Sequence, residues 1–206
     1  ALLQLARVML VSGEARASRP LLDAALAAAR EHGLVDAQAA ALSNIGHLHW
    51  QLGEVAACEP WFTQALALAR QGGPWRDQLN LLNSLGAVAQ LRGRLADAAL
   101  HYEHALQIAR RIGDRSGQAM LLNNLGSAAL VSGHFYQARQ HAEQAAQLFA
   151  LTGETMLHAQ ALVTAAEAHR ELGQLPQALA MSEQALALLH AGGSRPGRPQ
   201  RPATGP

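Results

Sequence analysis

Glycine recurs at positions 13, 53, 93, 133 and 173, always forty residues apart, and a second series at Gly33, Gly73, Gly113, Gly153 and Gly193 keeps the same spacing. Two glycine series in register mark a tandem repeat, and a repeat confines the chain to architectures in which each unit stacks on its neighbours. The clearest copy is Leu121 to Leu148, which reads as a helix carrying Leu122, Leu125 and Gly126, a break at Ser132-Gly133, and a second helix carrying Ala138, Ala142 and Ala145. Apolar residues spaced i, i+3, i+4 recur in every copy, as in Leu21, Leu22, Ala25, Leu26 and Ala29, so the expected fold is all-α with a linear core.

The copies divide the chain into repeats of about 1–34, 35–74, 75–114, 115–154 and 155–190, followed by a Gly/Pro/Arg-rich tail at 191–206 that is expected to be disordered. Asp36 is the expected N-cap of its helix, GGPWRD at 72–77 the expected turn, and Gly33 an expected C-terminal glycine. Pro20 and Pro60 share one repeat position, where proline predicts a late or bent helix, whereas Pro176 falls near a first turn, where it is tolerated.

Composition excludes several classes. The formal net charge of +1 provides no field to draw nucleic acid or acidic lipid, and no apolar run reaches the length of a membrane span. A single cysteine, Cys58, rules out an internal disulfide framework and fits a buried small residue. The chain opens Ala-Leu-Leu without methionine, and its first residues match a repeat helix rather than a signal peptide, which is the expectation for a fragment or processed product. Frequent alanine, arginine and glycine suggest a bacterial source, and a reducing, cytoplasmic compartment is compatible with the cysteine usage.

The pattern W-x2-L-G-x2-Y, then A-x3-F, then a later alanine, is the tetratricopeptide signature. Here Leu42, Ile45, Gly46, His49, Cys58, Phe62 and Ala65 follow it, then Leu82, Leu85, Gly86, Ala89, Ala98, Tyr102 and Ala105, and then Leu122, Leu125, Gly126, Ala129, Ala138, Ala142 and Ala145. The last copy uses Leu162, Ala165, Ala166, His169, Ala178, Ser182 and Ala185. The chain therefore resembles the tetratricopeptide repeat family over residues 1–190, in a form longer than the common repeat of about 34 residues. That long form is similar to the repeats of kinesin light chains, Pins-type spindle adaptors and the sensor regions of MalT- and AfsR-type bacterial regulators. The resemblance implies a right-handed α–α superhelix of about five helix-turn-helix repeats, with the first helices on the concave face. Ala142, where other copies have Phe62 or Tyr102, predicts that the superhelix is locally tightest there or has a gap that a neighbour fills.

Projected onto that face, the candidate partner-binding residues are Asn44, Asn80, Asn83, Ser84, Asn123, Asn124, His47, Trp50 and Arg170. A primary amide both donates and accepts, and so can hold the backbone of an extended peptide. The resemblance assigns Asn44 and Asn124 to that task; the alternative is that they bond within or between hairpins. The expected function is a protein-interaction scaffold for a partner peptide or segment, or else the sensor or oligomerisation arm of a larger bacterial regulator.

An enzyme is not expected. No P-loop, His-Glu-x-x-His or Gly-x-Ser-x-Gly is present. His47 and His49 diverge by roughly 200° on a helix. His101 and His104 sit at i, i+3 and could chelate, with His141 one hairpin on, but no carboxylate or cysteine completes a set, so neither metal nor cofactor is expected. Trp61 reads as inter-repeat packing, Trp75 as a turn residue, and Arg110, Arg111 and Arg115 as solvated surface. Leu186, Leu188 and Leu189 lack a capping helix, so self-association through that end is a possible outcome.

Overall fold

The computed structural model describes residues 1–193. Those residues form ten helices and no strand: α1 (Leu2–Val11), α2 (Ala15–Glu31), α3 (Val35–Gln51), α4 (Val55–Ala69), α5 (Trp75–Leu91), α6 (Leu95–Arg111), α7 (Arg115–Val131), α8 (Phe135–Thr152), α9 (Thr155–Glu171) and α10 (Leu175–Gly193). Connections this short allow only antiparallel neighbours, so the helices pair as hairpins and each hairpin stacks on the next. First helices also touch one another, α1 with α3 and α7 with α9, while no pair of second helices makes comparable contact among the described residues. The crowded first helices line the inner side of a right-handed solenoid.

Two kinds of glycine build each hairpin. The turn glycines are chosen by backbone conformation. Gly133 has φ +75°, its N–H donates to the Leu130 carbonyl at 3.1 Å, and the following His134 N–H donates to the Ala129 carbonyl at 2.9 Å. This paired closure satisfies the last carbonyls of the helix and reverses the chain in three residues. A methyl group at Gly133 would meet nothing within 4 Å, so space is not the constraint. The packing glycines are the reverse case. Gly86 is helical, and a methyl there would run into the ring of Tyr102, with Cδ1 at 2.6 Å. Gly46 lies under Phe62 in the same way. Gly126 faces Ala142 and meets backbone instead, the Ala138 carbonyl oxygen and the Ala142 nitrogen both at 3.2 Å. The small Ala142 thus lets the backbone of α8 approach Gly126 of α7.

The core runs unbroken through the hairpins, and Phe62, Tyr102 and Phe149 are its largest buried side chains. Phe149 stands where other second helices have Ala29, Ala69 and Ala109, so the fourth hairpin carries its aromatic two turns later than the second and third. The end helices are less covered. Leu2, Leu5 and Val8 of α1 are exposed, although their repeat equivalents Leu42, Ile45 and Leu48 are buried. At the other end Leu186 and Leu189 are exposed, and Leu188 is partly buried.

Several local expectations need correction. The three-residue turn places Leu34, not Asp36, at the N-cap of α3, so Asp36 sits in the first turn, where an acid still favours the helix dipole. The connection after α4 ends at Pro74, which caps α5, and Trp75 is already helical. In that connection the positive φ belongs to Gly72, at +128°, and not to Gly73. Pro20 and Pro60 do not delay their helices, which begin at Ala15 and Val55 and absorb the loss of one backbone hydrogen bond each. Helix α10 continues through Gly193, into the stretch assigned to the tail; the remainder of that stretch lies outside the described residues.

Candidate functional site

The residues projected onto the inner face separate into two groups. Asn83, Asn123 and Asn124 bond between successive first helices. The Asn124 amide donates to the Asn83 side-chain oxygen at 2.9 Å, and one hairpin later the Thr164 hydroxyl donates to the Asn123 oxygen at 3.4 Å. Both pairs are forty-one residues apart, so they form a ladder of side-chain bonds that ties α5 to α7 and α7 to α9. Asn123 is buried. Ser84 turns back on its own helix and donates to the Asn80 carbonyl at 2.9 Å. A buried amide left unpaired would cost about 1–3 kcal/mol, which is why these positions pair.

The second group faces outward. Asn80, His47, Trp50 and Arg170 are exposed and Asn44 is half-buried. Among the described residues the side chains of Asn44 and Asn80 make no hydrogen bond, whereas Arg170 pairs with Glu171 at 2.8 Å. His47 packs edge-on against Phe62, with ring centroids 5.0 Å apart. A recess of about 400 Å³ opens here across three consecutive first helices and brings Asn44, His47 and Asn80 together with Arg7 and Asp77. Sequence projection missed Arg7 and Asp77. Arg7 occupies the repeat position of His47, and extending that series back into the incomplete first repeat would have found it.

A different set of polar groups fills the grooves between successive hairpins. At the first junction Arg19 lies beside His49 at 3.3 Å and over the Trp61 ring at 5.5 Å, and it pairs with Asp23 at 2.9 Å. At the second, Glu59 accepts from both Arg92 and Arg94, and these bonds hold its carboxyl below the usual range, the Arg94 bond above all. At the fourth, buried His169 bridges Gln174 at 2.7 Å and Glu143 at 2.8 Å, and Arg139 donates to Gln174. Trp61 therefore packs between repeats, partly buried, as the sequence suggested.

Cys58 is fully buried, and burial followed by the nearby Glu54 charge pushes its thiol pKa up, which leaves it protonated and unreactive. Among the described residues no group of three or more His, Cys, Asp and Glu is arranged to hold a metal ion, and no helix is long and apolar enough to cross a membrane. Trp75 packs under Arg111, whose guanidinium lies 4.4 Å from the ring centroid.

Comparison with known proteins matches the geometry. The tetratricopeptide repeat family model matches residues 37–111. No curated protein matches the sequence. Among solved structures, BtubC (BKLC) from P. vanneervenii superposes with a TM-score of 0.83 at 20% identity, covering 98% of this chain and 84% of that one. A putative kinesin light chain from Podosopora anserina with nearly identical TPR-like repeats gives 0.75 at 17% identity, covering 94% and 96%. A signal transduction ATPase with a tetratricopeptide repeat sensor from Pyrococcus horikoshii gives 0.74 at 14% identity; 94% of this chain is covered, but only 33% of that protein. At these identities the likeness concerns the fold. Over residues 37–111 the chain is thus similar to the tetratricopeptide repeat family, and the hairpins before and after them continue the same fold.

Proposed function

We propose that the chain is a protein-interaction scaffold that holds an extended segment of a partner protein along its first helices, centred on the recess of Arg7, Asn44, His47, Asp77 and Asn80. The observation that carries this reading is the pair of amides, Asn44 and Asn80, left without side-chain partners in a recess flanked by one basic and one acidic group. An extended peptide presents alternating backbone donors and acceptors, which two amides can match, while Arg7 and Asp77 would set its direction. Asn124 and Asn83 support this surface by fixing the spacing of the helices rather than by leading the contact. The reading assigns the chain no catalytic activity, no cofactor and no role with nucleic acid or membrane, and it places the protein in the cytoplasm.

The test compares two substitutions. Partner captured by the isolated chain is titrated by calorimetry against Asn44→Ala and Asn124→Ala. Asn44→Ala should weaken binding at least tenfold with no change in melting temperature. Asn124→Ala should lower the melting temperature first. Unchanged affinity in a folded Asn44→Ala protein overturns the assignment.

A second reading makes the chain the sensor arm of a larger bacterial signalling or transcriptional regulator. It draws on the likeness to the ATPase whose repeats are described as its sensor. Self-association belongs to this reading. The faces exposed at α1 and α10 are the two that meet at every internal junction, so one copy's Leu186 and Leu189 could stack on another's Leu2, Leu5 and Val8. Sedimentation of the Leu5→Asp/Val8→Asp variant against the parent checks it: a concentration-dependent mass in the parent alone is expected, and a monomer in both removes this contact.

A further inference from the structure

Successive hairpins meet at four junctions, and three of them fill the groove between hairpins with a cation from the chain itself. Arg19 fills the first and pairs with Asp23; Arg92 and Arg94 fill the second and pair with Glu59; Arg139 reaches into the fourth, where Glu143 pairs with His169. The third junction breaks the pattern at two positions. Ala99 stands where the others have Arg19, Glu59 and Arg139, and Ala129 where two of them have His49 and His169. A recess of about 240 Å³ remains between α6, α7 and α8. Its walls include Leu95, Leu125 and Ala128, and its polar members include Glu103, His134 and His141.

Glu103 holds the repeat position of Asp23 and Glu143, both of which are paired, yet among the described residues it has neither ion pair nor hydrogen bond. His141 holds the repeat position of Trp61, the ring over which Arg19 lies. Its Nδ1 is buried with no hydrogen-bond partner. Burial lowers its pKa, so the ring is neutral near pH 7 and brings no competing charge. The third junction thus keeps the acid, a ring and the apolar walls of the first, and lacks both the guanidinium and the histidine beside it, while among the described residues Arg110 is the one cation of the chain that acts on His141 there. We propose that this recess binds an arginine side chain of a partner polypeptide, with Glu103 as its counter-ion, the His141 ring beneath the guanidinium and the apolar walls around its methylene stem. Arginine suits the site better than lysine, because a planar guanidinium can stack on a ring and bond a carboxylate at once. The site shares no residue with the Arg7–Asp77 recess and does not depend on it.

The test is an amide-resolved NMR titration of the full chain with N-acetyl-arginine amide, with the lysine and norleucine amides and a blocked Gly-Gly-Arg-Gly-Gly peptide as comparisons. Saturable shifts confined to residues 95–103 and 125–141 are expected with the arginine amide and the peptide. Lysine amide should bind several-fold more weakly and norleucine amide not at all. Glu103→Gln should weaken binding at least tenfold while the spectrum stays folded. Ala99→Arg, which restores a cation in cis, should abolish it. Absence of saturable shifts, equal binding of norleucine amide, or binding unchanged in Glu103→Gln overturns the proposal. Binding of the amide but not of the peptide overturns the polypeptide as its source.

Discussion

In the third hairpin Gly86 lies under the aromatic ring of Tyr102, whereas in the fourth Gly126 lies against the backbone of Ala138 and Ala142. The same residue at the same repeat position serves two packing solutions. In the third, the missing side chain makes room for a large ring that fills the hairpin. In the fourth, a small residue on each helix lets the backbones close on one another, and the aromatic volume moves to Phe149. The lesson concerns how each hairpin can respond to change. A ring can be removed or shortened, and its space reused; a helix backbone at 3.2 Å from a would-be methyl can make room only if the helix itself shifts by a few tenths of an ångström.

The comparison can be broken most forcefully at Tyr102. Tyr102→Ala should cost about 3–5 kcal/mol in urea melts, as a large buried aromatic does. Adding Gly86→Ala to Tyr102→Ala should recover part of that loss, because the new methyl enters the space the ring left. Strict additivity in that double-mutant cycle would show that Gly86 and Tyr102 are not packed as described.

Next in size are the leucines beside the two glycines. Leu85 and Leu125 are each 4% exposed, so Leu85→Ala and Leu125→Ala should cost alike, about 2–5 kcal/mol. Leu186→Ala, at a residue 55% exposed, should cost clearly less. A large gap between the two central leucines would mean that the hairpins differ by more than what covers the glycine.

Gly126→Ala should destabilise by about 1–3 kcal/mol through overpacking, partly offset by the better helix propensity of alanine. No single truncation across the hairpin should rescue it, which separates it from Gly86→Ala. A neutral Gly126→Ala in thermal melts would sink the close-approach account.

Smaller still is Tyr102→Phe. The Tyr102 hydroxyl donates to Gln90 at 3.0 Å, and Gln90 donates onward to Ser127 in the fourth hairpin at 3.3 Å. Losing the hydroxyl should cost about 1 kcal/mol and weaken the link between the two hairpins. Burial also raises the Tyr102 pKa to about 12, so its ionisation should lag behind that of exposed tyrosines in an alkaline ultraviolet titration.

The smallest effect is with pH. His101 and His141 have lowered pKa values because burial disfavours their charged forms. Around His101 are Asp97, His104, Glu59 and Arg94; around His141 are Glu103 and Arg110. The unfolded chain protonates first as pH falls below about 6.5, so stability is full above that value and declines through the lower folded pKa values. Urea midpoints measured from pH 7.5 to 5.5 should fall, and less steeply in His141→Gln.

Much of this architecture was legible in the glycines. A turn glycine is demanded by a local backbone conformation, so a forty-residue spacing of such turns transmits the hairpin count directly. The Leu-Gly pairs were equally readable, since Gly46, Gly86 and Gly126 each face a residue sixteen positions on, at Phe62, Tyr102 and Ala142. Asp36 and Trp75 were misplaced because a cap or a turn end depends on one or two residues whose local signals nearly balance.

The inner face was legible only in part. Sequence by itself determined that Asn44, Asn80, Asn83, Asn123 and Asn124 sit on first helices in register, that Ala99 is small where Arg19, Glu59 and Arg139 are long, and that Ala129, like Ala89, is small where His49 and His169 are long. Only the tertiary structure decided which amides meet. Asn83 reaches Asn124 across two hairpins because stacking offsets neighbouring first helices by one residue from the repeat length, while Asn44 and Asn80 open onto the recess. Periodicity records which face of a helix a residue occupies. The distance between two such faces is set by how the hairpins stack, and that distance separates a structural bond from a free donor, and a filled groove from an empty one.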